Sequence, residues 1–78
     1  MFVSERVTVG MVNDIPKYLI WKGRSHNIIK VGLHHKYFKG KYLIHVFSVT
    51  TSTLFMKLEL NTQNLIWNLL EVNENNQF

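Results

Sequence analysis

Apolar side chains recur at every second residue through most of this chain, and that rhythm commits it to β-structure before any other property is considered. In the first segment Val3, Val7, Val9 and Met11 share one parity, while Ser4, Arg6 and Thr8 share the other. Successive side chains on a pleated strand point to opposite faces, so this is a half-buried strand enriched in β-branched residues. Leu54, Met56, Leu58 and Leu60 alternate in the same way with Phe55, Lys57 and Glu59. Residues 42–49 (YLIHVFSV) are apolar on both parities and read as a central strand covered on both faces.

Turn residues divide the chain. Asn13-Asp14-Ile15-Pro16 reads as a turn: Asn and Asp tolerate left-handed backbone, and Pro16, lacking a ladder donor, suits a strand's first residue. Residues 17–22 (KYLIWK) form the second strand, Gly23 punctuates it, and Arg24-Ser25 completes a tight hairpin. The third strand is expected from about His26 to Leu33, with Gly32 as a bulge. Residues 34–41 (HHKYFKGK) read as a basic, aromatic loop. Residues 50–53 and 61–64 are polar turns. Residues 65–72 fit a strand through Leu65, Trp67 and Leu69, and they also offer a helix face through Leu65, Ile66, Leu69 and Leu70. Strand is the reading adopted, because the turn before it has hairpin length. The expectation is therefore an all-β domain: a small antiparallel meander of about six strands, curled into a barrel-like sheet that protects its edges. One domain spans residues 1–72, followed by a frayed polar tail at 73–78.

With 78 residues, a single domain of this size buries only about 60% of the surface its unfolded chain exposes, so each large apolar side chain matters. The supply is sufficient: 46% of residues are hydrophobic, among them five Phe, three Tyr and two Trp, which argues against disorder. There is no cysteine, which excludes disulfides, thiolate zinc sites and a cysteine nucleophile. Small secreted domains usually need such staples, so the expected compartment is cytoplasmic. Glu5 and Arg6 interrupt the first twelve residues, which do not read as a signal peptide. No run approaches the ~20 apolar residues needed to span a membrane, and no membrane partner is expected.

Catalytic constellations are missing from the pattern. The acids Glu5, Asp14, Glu59, Glu71 and Glu74 form no recognisable pair with a nucleophile, and the four glycines are too scattered for a phosphate loop. His34 and His35 are adjacent, so on a strand they face opposite ways and do not chelate one ion. His26 and His45 could approach each other only if their strands pair. The expectation is a non-enzyme with no cofactor and no metal.

What stands out is charge segregation. Nine Lys and Arg against five Asp and Glu give a net charge of +4. Lys17, Lys22, Arg24, Lys30, Lys36, Lys39 and Lys41 fall in one stretch that contains no acid. Aromatic residues interleave with them, notably Tyr37 and Phe38. Nucleic-acid grooves on β-barrels combine cations for phosphates with aromatic rings on which bases stack. Trp21 and Trp67 are expected in the core. Lys22, Arg24, Lys30, His35, Lys36, Tyr37, Phe38, Lys39 and Lys41 are the candidate contacts for a nucleic acid or, alternatively, for another protein chain docking through a strand edge or the 34–41 loop.

One pattern carries a family likeness. Ile15-Pro16, then Trp21-Lys22-Gly23-Arg24, then His26, Ile28 and Val31 run as IPKYLIWKGRSHNIIKV; FMKLEL and LIWNLLEV follow, with Trp67, Leu69 and Val72. This resembles a group of small bacterial β domains that open on Pro-x-x-Phe-x-Trp-x-Gly-Arg-x-Tyr-x-Val and end on Trp-x-Leu. Related segments are similar to the C-terminal region of an inactive mutagenesis protein that resembles Y-family DNA polymerases. The likeness spans residues 15–72 and is sharpest at Trp21-x-Gly23-Arg24. It implies a compact β domain and an accessory role near DNA repair or replication.

Overall fold

The computed structural model describes residues 1–74. Seven strands make one antiparallel sheet: β1 (Phe2–Val12), β2 (Ile15–Trp21), β3 (Arg24–Asn27), β4 (Lys30–Lys39), β5 (Tyr42–Thr50), β6 (Leu54–Asn61) and β7 (Ile66–Glu74). Their order across the sheet is β3-β2-β1-β7-β6-β5-β4. It is built from two meanders joined by β1. The first half of β1 pairs with β7 as far as Val7↔Trp67, and its second half pairs with β2 from Thr8↔Ile20 onward.

Two-residue turns set most registers. Asn13 and Asp14 both take left-handed φ (52° and 63°), as do Lys22 and Gly23 (52° and 74°). Paired positive φ values are the signature of the hairpin turn whose twist matches that of its strands. Gly40 (φ 63°) opens the β4–β5 turn, where the first of two turn residues must be left-handed. Gly10 serves a different purpose. It lies opposite Tyr18, and a Cβ there would run into the Tyr18 ring, which lies across the glycine.

The sheet curls without closing. β3 and β4 are the two edges of the sheet, yet only Ile28 and Ile29 separate them in sequence. The Cα path from Asn27 to Lys30 takes three steps of about 3.8 Å, so the edges lie within roughly 11 Å there. The link belongs to both edges at once. Ile28 N–H donates to Lys17 O (2.9 Å) and prolongs the β2–β3 ladder, while Ile29 N–H donates to Thr50 O (2.7 Å) and prolongs β4–β5. Inside the curl, Val7, Leu19, Ile28, Phe47, Val49, Met56, Leu58, Trp67, Leu69 and Val72 form the buried core, with Trp21 packed against it.

Four expectations change. There are seven strands and not about six, because the expected 26–33 strand is split: the chain leaves one edge at Asn27 and enters the other at Lys30. Lys22-Gly23, not Arg24-Ser25, make the β2–β3 turn. Residues 34–39 are strand, not loop; only Gly40 and Lys41 turn. Finally, the sheet is open, so it is barrel-like only in its curl. Segment 66–74 is strand, as the hairpin-length turn before it requires, and it runs through Asn73 and Glu74. The rest of the expected tail, 75–78, lies outside the described residues.

Candidate functional site

The ladder assigns each candidate residue to a face. Residues directly opposite one another in an antiparallel pair share a face. His34 faces Phe47, Lys36 faces His45 and Phe38 faces Leu43, on the inner face that carries the core. His35 faces Val46, Tyr37 faces Ile44 and Lys39 faces Tyr42, on the outer face. The expected cluster is thus divided by the pleat. Lys36 and Phe38 point one way, and His35, Tyr37 and Lys39 the other.

Distance divides it further. Strand rise is about 3.4 Å per residue, so Lys30 and Lys39 stand roughly 30 Å apart at opposite ends of β4. Lys22 and Arg24 belong to the β2–β3 turn and the far edge strand, and Lys22 Nζ sits 4.9 Å from the Trp21 ring centre. Lys36, Lys39 and Lys41 remain close, around the tip of the β4–β5 hairpin, with Lys41 Nζ 6.0 Å from the Tyr42 ring centre. No acid occurs between Lys30 and Thr50, the whole of this hairpin. The only ion pair among the described residues is Lys57–Glu71 (3.7 Å), so the hairpin lysines have no carboxylate partner.

The two aromatic candidates have different surroundings. Tyr37 is engaged: its hydroxyl donates to Glu59 Oε2 at 3.2 Å. Glu59 is on β6 and β5 lies between, so the tyrosine reaches across β5. It passes over Ile44 and Val46, the residues opposite Tyr37 and Glu59, which are buried although they face away from the core. Burial and donation to Glu59 both raise the Tyr37 pKa above 10.0. Phe38 lies on the other face, is 70% exposed and shares a rung only with Leu43. It is the ring free to meet a ligand. Sequence reasoning gave both rings the same weight, since the strand order that puts Glu59 within reach of Tyr37 has no local signal.

β4 is also a free edge. It pairs with β5 alone, and beyond Val31 every residue through Lys39 is exposed, including Leu33.

The condition for His26 to approach His45 is not met. β3 and β5 are not neighbours, so His26 does not pair with His45; it lies instead beside Trp21, ring centres 6.3 Å apart. His34 Nε2 and His45 Nδ1 are 2.7 Å apart, a diagonal contact across β4 and β5. Among the described residues no group of three or more His, Cys, Asp or Glu is placed to hold a metal ion. A cavity of about 380 Å³ opens between β3 and the β5–β6 turn, lined by Ser25, His26, Asn27, Ile29 and Thr51 to Thr53. It contains a histidine and hydroxyls but no carboxylate, so no acid–base pair with His26 is assembled there. Among the described residues no helix is long and apolar enough to cross a membrane.

Comparison with protein-family models, curated proteins and solved structures returns no match to this chain.

Proposed function

We propose that this domain is a non-catalytic binding module whose β4–β5 hairpin takes single-stranded nucleic acid. The supporting observation is a hairpin with Lys30, Lys36, Lys39 and Lys41, no acid, and Phe38 open to solvent at its tip. Lys36, Lys39 and Lys41 meet phosphates, and a base stacks on Phe38; Lys22 and Arg24 lie outside this contact. Unpaired cations supply affinity without sequence preference, and a base on an aromatic ring adds about 1–3 kcal/mol. The role near DNA repair or replication rests on the likeness around Trp21-x-Gly23-Arg24.

Anisotropy of labelled single-stranded DNA, RNA and duplex DNA tests this reading. Three phosphate contacts predict a loss of about 20-fold in single-strand affinity between about 50 and 200 mM salt. Phe38→Ala weakens single-strand binding about thirtyfold, at the middle of the stacking range. Absence of binding at low salt, or binding indifferent to salt, overturns the reading.

A second reading is favoured by the free β4 edge. An extended segment of another protein adds to residues 33–39 as a further strand, with its backbone satisfying the unpaired N–H and C=O groups. Protein capture that persists at high salt and fails when proline replaces Leu33 distinguishes it.

A further inference from the structure

The most closely built polar contact on the hairpin is the one between His34 and His45. Their ring centres are 4.9 Å apart and their planes 28° from parallel. That separation is close to the 2.7 Å contact plus two ring radii. The two nitrogens therefore face each other nearly along the line of centres, in near-coplanar rings. This is the arrangement of an N–H···N hydrogen bond. A chelated ion would instead require both lone pairs to converge on a third point.

One hydrogen fits between the two nitrogens. In the neutral pair one ring donates and the other accepts; in the singly protonated pair the imidazolium donates, and the bond is strengthened by charge. With both rings protonated, both facing nitrogens carry hydrogen and the contact is lost.

The surroundings reinforce this limit. His34 stacks on buried Phe47, ring centres 4.1 Å apart and planes 12° from parallel, and Phe47 rests against Trp67 at 5.5 Å. Lys36 is opposite His45 on the same face, and His35 adjoins on the other. On β6 the facing residues are Leu58 and Leu60, which are apolar. On β7 they are Leu69 and Trp67. The first acid on the His34 rung is Glu5, on β1 beyond β7. Glu59 lies on the outer face with Tyr37. Burial, then the charges of His45, Lys36 and His35, lower the His34 pKa below 6.5.

We propose that His34 and His45 form a proton-sharing site that sets the positive charge on the inner face of the hairpin, with one hydrogen bridging the two rings when no ligand is bound and a further proton taken up when an anion lies against Lys36. The link to a nucleic acid rests on the reading above; the proton-sharing pair does not. Linkage fixes the sign. An anion that favours the doubly protonated pair draws in a proton, so its affinity rises as pH falls through the histidine range.

The imidazoles of the intact protein, followed by ¹⁵N NMR from neutral to acid pH with and without an oligothymidylate, provide the test. His34 and His45 should titrate in two separated steps in the free protein, and His34→Gln should abolish that separation. The oligothymidylate should raise the lower step, and its affinity should rise about fivefold from pH 7 to pH 5.5, within the tenfold per unit that one linked proton allows. That gain should disappear in a His34→Gln/His45→Gln variant, while salt-sensitive binding remains there and the gain remains in His26→Gln, whose ring lies beside Trp21 on the far edge. Independent titration of His34 and His45 overturns the proposal, as does a double variant with an unchanged pH response. Two separated steps with no oligonucleotide bound at any pH sustain the pair and overturn the nucleic-acid reading instead.

Discussion

Tyr37 shows how far one side chain's role depends on a distant partner. On a free β4 it would be an exposed ring; with Glu59 two strands away it becomes a cover for Ile44 and Val46. Tyr37→Phe keeps the ring and loses only an exposed hydrogen bond, so it should cost less than about 1 kcal/mol in urea unfolding. Tyr37→Ala uncovers both apolar side chains and should cost about 1–3 kcal/mol. Equal costs would mean that the ring covers nothing. Leu65 presents the opposite case. It is 72% exposed and takes φ 60°, where a branched side chain is strained. Leu65→Asn, which tolerates that backbone, should raise stability by about 1 kcal/mol, read as a higher urea midpoint. A lower midpoint would show that Leu65 has packing that its exposure conceals.

At the scale of elements, the sheet is unevenly secured. β6 is flanked on both sides and contributes Met56 and Leu58, both fully buried, to the core. β4 is held from one side and contributes only Val31, half-buried, to it. Amide hydrogen exchange should therefore be slowest in β6, at rates set by global unfolding, and fastest among the strands in residues 33–39 of β4. Comparable protection in β4 would imply that its edge is already paired in solution. The misreading of 34–39 as a loop arises here. Its polar, aromatic composition is that of a strand with neither face covered, which has no apolar alternation by which to recognise it. β6 was legible because burial of one face imposes the two-residue period, β5 because it is apolar on both faces, and β4 was not because little of it is buried.

For the whole molecule, the charge that matters is titratable as well as fixed. His34 binds a proton less readily in the folded protein than in the unfolded chain, first because of its partial burial and then because of His45, Lys36 and His35. Stability from this source is complete above the ordinary value of 6.5 and falls as pH drops below it, since the unfolded state then takes up more protons. Urea midpoints measured at about pH 7.5 and about pH 5.5, either side of the ordinary histidine value, should be lower in acid, with the difference reduced in His34→Gln. An unchanged midpoint would remove the coupling. The basic stretch from Lys17 to Lys41 was plain in the sequence, but its division was not. The pleat sends Lys36 and Lys39 to opposite faces, and the two-residue link at Ile28-Ile29 places Arg24 and Lys30 on opposite edges.

Side-chain alternation and turn chemistry determined by themselves that this chain forms antiparallel strands, because both act within a few residues and every buried strand must satisfy them. Which strands are edges, that β1 joins β7, that Tyr37 meets Glu59 and that His34 meets His45 were decided only by tertiary structure. Those pairings join residues distant in the chain, and they are selected by how one shared apolar interior can be enclosed, a condition that no local stretch of sequence contains.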